Sequence, residues 1–121
     1  MKHRSVAIVY LTKDVPREEY EPYNEPGFEG VLRRRLLNPE NSSKQFALRT
    51  YIIDPNGRTR LDRHSHEHGV YMMSGVLDVQ VGARQMVLRT GDVLHIASDE
   101  PHQFINRANE YAKFLCVRDF P

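Results

Sequence analysis

The chain changes direction too often to hold a long helix. Segments rich in Val, Ile, Leu, Phe, Tyr and Thr recur at short intervals, separated by Gly, Pro, Asn and Asp. They fall at 5–11, 31–37, 46–53, 59–64, 69–74, 76–81, 85–89, 93–97, 102–106 and 111–118. Leu77, Val79 and Val81 alternate with Asp78 and Gln80, the period-two pattern of a half-buried strand. Turn signals stand where hairpins need them, at Asp54-Pro55-Asn56-Gly57, at Ser74-Gly75 and at Val81-Gly82-Ala83-Arg84. No stretch of a dozen residues keeps a helical apolar period. The best candidate, Pro16 to Tyr23, is interrupted by Pro22 and followed by Pro26. Many short strands at this spacing predict an all-β sandwich or barrel, in which closure hides the sheet edges. The segment Val15 to Gly30, with three prolines and five glutamates, reads as a surface loop, free to pack across the barrel or against a partner subunit.

A length of 121 residues with 40% hydrophobic composition suits one domain with one core. The expected organisation is a single domain over 1–121, with an N-terminal strand and loop in 1–30 and a barrel in 31–118. Lys and Arg number 17 against 16 for Asp and Glu, so the net charge of +1 gives no reason to expect nucleic acid as a partner. The apolar run Val6 to Leu11 is too short to span a bilayer and lacks a signal cleavage site. A soluble, cytoplasmic protein without a membrane partner is expected. Cys116 is the sole cysteine, so no intrachain disulfide can form and no cysteine pair can bind zinc. A metal would have to use His, Asp or Glu.

The segment Asp62-Arg63-His64-Ser65-His66-Glu67-His68 is rich in such groups. If it is extended, Asp62, His64, His66 and His68 share one face, while Arg63, Ser65 and Glu67 take the other. Residues two apart on a strand are about 6.6 Å apart at the backbone, so two imidazoles can lean toward one ion at roughly 2.0–2.1 Å. Four in a row cannot all converge on a straight strand. Either the chain bends within the segment or one member stays outside the site. Lone histidines on surface strands are commonly just solvated; three in alternation with an aspartate favour metal binding, and their internal position excludes a terminal purification tag.

These residues resemble the cupin family. Its first motif runs Gly, five residues, His-x-His, three or four residues, Glu, six residues, Gly. Here Gly57 falls one residue closer, Asp62 and His64 take the two His positions, His68 takes the Glu position, and Gly75 closes the motif. In the second motif Gly91, His102 and Asn106 match, while Ala97 and Asp99 replace a Pro and a Gly. A subgroup of small cupins has a histidine at the Glu position, and His64, Glu67, His68, Val70, Tyr71 and Gly75 are similar to its pattern in step. The similarity extends to Gly30–Leu37, Phe46–Arg49 and Phe114–Val117. It implies a cupin-type double-stranded β-helix, or jelly-roll barrel, of the RmlC-like kind, with one divalent transition metal (Mn, Fe, Ni, Co or Zn) on His64, His68 and His102. The fourth ligand is Asp62, which needs no gap, or His66 after a local shift; His66 otherwise handles protons in the cavity. Small cupins usually pair, often by exchanging N-terminal strands, so a homodimer through Ser5 to Leu11 is expected.

Other residues carry weaker expectations. His95 reads as a core or cavity histidine, and Arg33-Arg34-Arg35 as a solvated strand face. Arg58, Arg60 and Arg63 either steer an anionic ligand or pair at the surface. Tyr71, Met72, Met73, Met86 and Phe104 are expected to line or pack the barrel, and Cys116 to be buried and inert. Proton transfer near the motif falls to Tyr71, Glu67, His66 or His95, of which Tyr71 and His66 are the catalytic candidates. The function that follows is a metal-dependent enzyme of oxygenase, decarboxylase or isomerase type on a small oxygenated substrate. The alternative is a non-catalytic module that binds a small molecule or metal.

Overall fold

The computed structural model describes residues 9–120. Apart from a single 3-10 turn at Arg17–Glu19, its elements are strands: β1 (Glu21–Pro22), β2 (Glu29–Leu37), β3 (Phe46–Arg58), β4 (His68–Ser74), β5 (Val76–Val81), β6 (Arg84–Arg89), β7 (Val93–Ile96), β8 (His102–Ile105) and β9 (Ala112–Asp119). They form one antiparallel sheet in the order β6-β5-β8-β3-β9-β4-β7, with β2 paired to β3 and β1 to β2. Consecutive strands rarely stay neighbours, and this curled sheet is the jelly-roll barrel that the strand pattern and motif spacing predict. No helix among the described residues is long and apolar enough to cross a membrane.

Strand alternation builds the core. Val70 and Met72 on β4, Leu77 and Val79 on β5, and Ala112, Phe114 and Cys116 on β9 turn inward at every second position and are buried with Val31, Ile53, Leu88, Ile96 and Phe104. Phe104 stacks on Phe114 with centroids 4.9 Å apart. Met72, Met86 and Phe104 thus pack as expected, whereas Tyr71 remains 47% exposed on the outer face of β4.

Two of the three turn expectations need correction. The Asp54–Gly57 signal is a bend within β3 rather than a hairpin: Asn56 takes a positive φ of 67°, and the strand passes from pairing with β9 to pairing with β8 at Arg58. Gly57 is required there because a Cβ would meet the carbonyl oxygens of Glu29, Asp54 and Gly30 at 2.7, 2.8 and 3.0 Å. Asn106 holds the bend from the other side. It is fully buried, donates from Nδ2 to the carbonyls of Ile53 (2.8 Å) and Glu110 (2.9 Å), and accepts from the Ala108 N–H (2.9 Å). Ser74-Gly75 is a corner between two parts of the sheet, because β4 and β5 do not pair with each other. The third signal does form a hairpin: Val81 pairs with Arg84 around Gly82, whose φ of 59° meets the need of a two-residue turn for a left-handed residue.

The expected strand at 59–64 is absent except for one bridge, Asp62 to His102. Residues 59–67 instead form an irregular crossing from β3 to β4, bonded to β8 at Thr59 and Asp62, with bends at Ser65 and His66. The expected strand at 5–11 lies mostly outside the described residues; Val9 to Leu11 are exposed and unpaired in the sheet. Nor is 15–30 only a surface loop. Tyr20 is buried, with its hydroxyl bonded to Asp14 (2.6 Å) and Thr50 (2.8 Å), while Tyr23 and Phe28 meet edge to face at 4.8 Å and pack on the core.

Candidate functional site

A cavity of about 160 Å³ opens where the 59–67 crossing meets the inner faces of β3, β4, β8 and β9. Backbone bonds between Asp62 and His102 (2.9 and 2.8 Å) clamp one end of the crossing. Bonds from the Asp99 N–H to the His64 carbonyl (2.7 Å) and from the Glu67 N–H to Asp119 (2.8 Å) hold the rest. The bends at Ser65 and His66 answer the convergence problem of a straight strand. All three histidines of the segment reach the cavity: the His64 ring lies 4.6 Å from that of His66 and 5.6 Å from that of His68, and His66 lies 4.6 Å from His68.

His102 enters from the start of β8, its ring 5.4 Å from His64 and 5.1 Å from His68. One ring nitrogen from each of His64, His68 and His102 lies within 4.8 Å of the others. His102 Nδ1 is 2.9 Å from the Glu100 carbonyl. A carbonyl only accepts, so Nδ1 carries the proton and Nε2 keeps its lone pair. His68 (8% exposed) and His102 (6%) are buried, and His64 is half-buried.

Burial works against protonation of His64, His66 and His68. Burial, the imidazoles of His102 and His66, and the Arg49 guanidinium push His68 down to about 3. Burial, with Arg118 and His64, pushes His66 down to about 4. Burial also lowers His64, against the pull of Asp62. Imidazoles held neutral near pH 7 present lone pairs, which suits a soft-to-borderline metal cation far better than a proton. The donor set of the cavity therefore fits a divalent transition metal, and three close histidines could bind one.

Asp62 lines the same cavity, but its carboxylate is engaged. Oδ2 accepts from Arg60 Nε (3.3 Å) and Nη2 (3.2 Å) and lies 3.3 Å from His64 Nε2, while Oδ1 accepts the Arg63 N–H at 3.0 Å. Burial raises its pKa, yet these donors outweigh burial and hold it below the usual carboxylate value. Neither Asp62 nor His66 joins the 4.8 Å triad among the described residues.

Of the four groups considered for proton transfer, only His66 lines the cavity. Tyr71 is three positions from inward-facing His68 and so points outward, away from the candidate site. His95 is a surface residue, not a core or cavity histidine: it is exposed and pairs with the equally exposed Glu67 at 2.6 Å. Cys116 is buried as expected, yet it also lines the cavity.

Sequence reasoning missed the cationic and aromatic walls. Arg49 and Tyr51 on β3 and Arg118 on β9 face the cavity with Arg60, Tyr23 and Phe28. Their signal was parity, since Arg49 alternates with Ala47 and Tyr51, and Arg118 with Cys116 and Phe114, on inward positions. Of the two expectations for Arg60, steering an anion or charge pairing, the structure has the pairing, with Asp62, and the guanidinium stands 5.2 Å over the Phe28 ring.

Comparison with known proteins agrees with this architecture. The family model described as Cupin domain matches residues 49–118. A 1-methylthio-D-xylulose 5-phosphate methylsulfurylase of Rhodospirillum rubrum is 32% identical over 98 residues, which is 78% of this chain; the chain spans 62% of that relative's length. The polyketide cyclase RemF of Streptomyces resistomycificus superposes with a TM-score of 0.79 at 26% identity, covering 90% of this chain and 80% of RemF. A cupin-2 domain structure from Rhodospirillum rubrum gives a TM-score of 0.78 at 26% identity, over 93% of this chain and 76% of its own.

Proposed function

Because the chain belongs to the cupin domain family, we propose that its cavity binds one divalent transition metal (Mn, Fe, Ni, Co or Zn) through His64, His68 and His102 and works as a metal-dependent enzyme on a small oxygenated substrate. The observation that carries this reading is the triad of ring nitrogens within 4.8 Å, on a ligand-sized cavity. When bound, the metal supplies Lewis acidity or, if it is iron, a site for dioxygen, the chemistry of an oxygenase, decarboxylase or isomerase. The protein's own part is orientation. The Glu100 carbonyl fixes the His102 tautomer, and Asp62 steadies His64 while Arg60 steadies Asp62.

His66 is favoured over Asp62 for the fourth position. Its ring stacks against His64 and lies as close to His68, whereas the Asp62 carboxylate is already shared among Arg60, the Arg63 N–H and His64. If His66 does not ligate, it is the proton-handling group that faces the ligand. The enzyme reading draws support from two similar proteins whose names denote catalysts, a methylsulfurylase and a polyketide cyclase. The rival reading, a non-catalytic module for a small molecule or metal, draws support from the fact that, of Tyr71, Glu67, His66 and His95, just His66 lines the cavity.

Elemental analysis of the purified protein and a His102→Ala variant tests the metal reading. About one equivalent of a transition metal in the first and a clear loss in the second is expected; equal content refutes it. The same assay on Asp62→Asn and His66→Gln identifies the fourth ligand.

We also read the chain as one domain acting in the cytoplasm as a homodimer. Tyr71 and Val93, directly paired across β4 and β7, leave an apolar patch on the outer face, Val93 being 75% exposed. Light scattering that returns a monomer at micromolar concentration counts against pairing.

A further inference from the structure

We infer that Arg49 and Arg118 form a subsite for an oxyanion, a carboxylate or phosphate group carried by the small ligand, held beside the histidines. The inference rests on the cavity being a ligand site but not on the metal.

Strand register brings the two arginines together. Arg49 on β3 is directly opposite Cys116 on β9, and Arg118, two residues further along β9, is directly opposite His68 on β4. Opposed residues have Cβ atoms about 4.5–5.5 Å apart and diagonal ones about 7–8 Å, so both guanidinium groups fall within reach of one small anion next to His68.

Neither cation has its own carboxylate. Among the described residues, Arg49 and Arg118 are in no salt bridge, while Arg60, the third arginine of the cavity, pairs with Asp62. Arg49 Nη2 donates to the Cys116 sulfur at 3.4 Å, its guanidinium stands 5.4 Å over the Tyr51 ring, and its Nε is buried without a hydrogen-bond partner. Arg118 donates from Nε to the Asp119 carbonyl at 3.3 Å and stacks over Phe120 at 4.4 Å. Three guanidinium groups line the cavity against the one carboxylate of Asp62, so the walls carry an excess of positive side chains.

Burying an unpaired guanidinium is costly, and two on adjacent strands repel each other. An oxyanion removes both penalties, and the planar donor fork of arginine matches carboxylate and phosphate geometry. Access is available, because the same two arginines also line a neighbouring cleft with Arg35, Glu40 and Phe120.

The test is titration of the purified protein with inorganic phosphate and, separately, malonate, at ionic strength matched with sodium chloride. It is repeated after chelation so that anion bound to a metal is told apart. The readout is the ¹⁵N–¹H spectrum of the arginine Nε–H groups, with affinity by calorimetry. Saturable movement of the Arg49 and Arg118 signals is expected in both preparations, and the tighter anion identifies the ligand class. Arg49→Gln should weaken binding tenfold or more, Arg118→Gln by less, with metal content unchanged in both. Unmoved Nε–H signals in the wild type overturn the inference whether or not the variants fold. So does a folded Arg49→Gln that binds both anions like the wild type. Elemental analysis of the same samples reports separately on the histidine site.

Discussion

The two ends of the barrel use the same rule for opposite purposes. On β5, β6 and the far part of β8 the buried inward positions are apolar, Leu77, Val79, Leu88 and Phe104, and belong to one core cluster, while His102 at the start of β8 turns into the cavity. At the other end, the inward positions of β3, β4 and β9 carry Arg49, His68 and Arg118, and a cavity replaces dense packing. Period-two alternation alone dictates which residues point in. What they are decides whether the space is filled or kept open with polar groups, so one end supplies dense packing and the other gives it up for a polar cavity.

The comparison breaks most visibly at the packed end. Leu77→Ala removes a fully buried side chain and should cost about 2–5 kcal/mol while leaving metal content and anion binding intact, as urea denaturation with elemental analysis will show. Asn106→Ala comes next. It strands the carbonyls of Ile53 and Glu110 and the Ala108 N–H, a loss of about 1–3 kcal/mol for a buried unsatisfied group, read as a lowered denaturation midpoint.

The cavity end should reveal itself through pH. In metal-free protein His68 titrates at about 3 and His66 at about 4, below the usual 6.5 that they regain on unfolding. The unfolded chain then binds more protons across that window, so stability is full above pH 6.5 and falls as pH drops toward 4. Thermal melts of the chelated protein should follow this course, and His68→Gln should flatten it; an unchanged slope removes His68 as the cause. Tyr71→Ala should do least. Its side chain lies on the outer face, so metal content should be unchanged and the stability of the unpaired subunit should stay within about 0.5 kcal/mol, as elemental analysis and melts at a concentration too low for pairing would register.

Much of this was legible in the primary structure, and the failures have physical causes. The boundaries of β2, β4, β5, β8 and β9 follow the apolar pattern to within a residue or two, because in each the pattern and the pairing agree. That His64, His68 and His102 come together was legible because the spacing within both motifs is kept in this sequence. The bend at 54–57 was mistaken for a hairpin because Asp-Pro-Asn-Gly signals a change of direction but not whether the strand resumes. Residues 59–64 alternate like a strand, yet only Asp62 finds a partner. Tyr71 was placed in the site for its chemistry although parity with His68 already put it outside. Arg49 and Arg118 are 69 positions apart, and only the register between β3 and β9 makes them a pair.

Gly57 has a consequence beyond the fold. Three carbonyl oxygens enclose the space that any side chain would enter there, and the crossing that delivers His64 and His66 begins two residues later. The position acts as a fixed pivot at the start of a segment that backbone bonds at Asp62, His64 and Glu67 hold further along. Under random mutagenesis selected for metal retention, Arg63, Ser65 and Glu67 should accept many replacements and Gly57 almost none. A designer wishing to exchange the donor set can rewrite the loop freely, provided that the hinge is left alone.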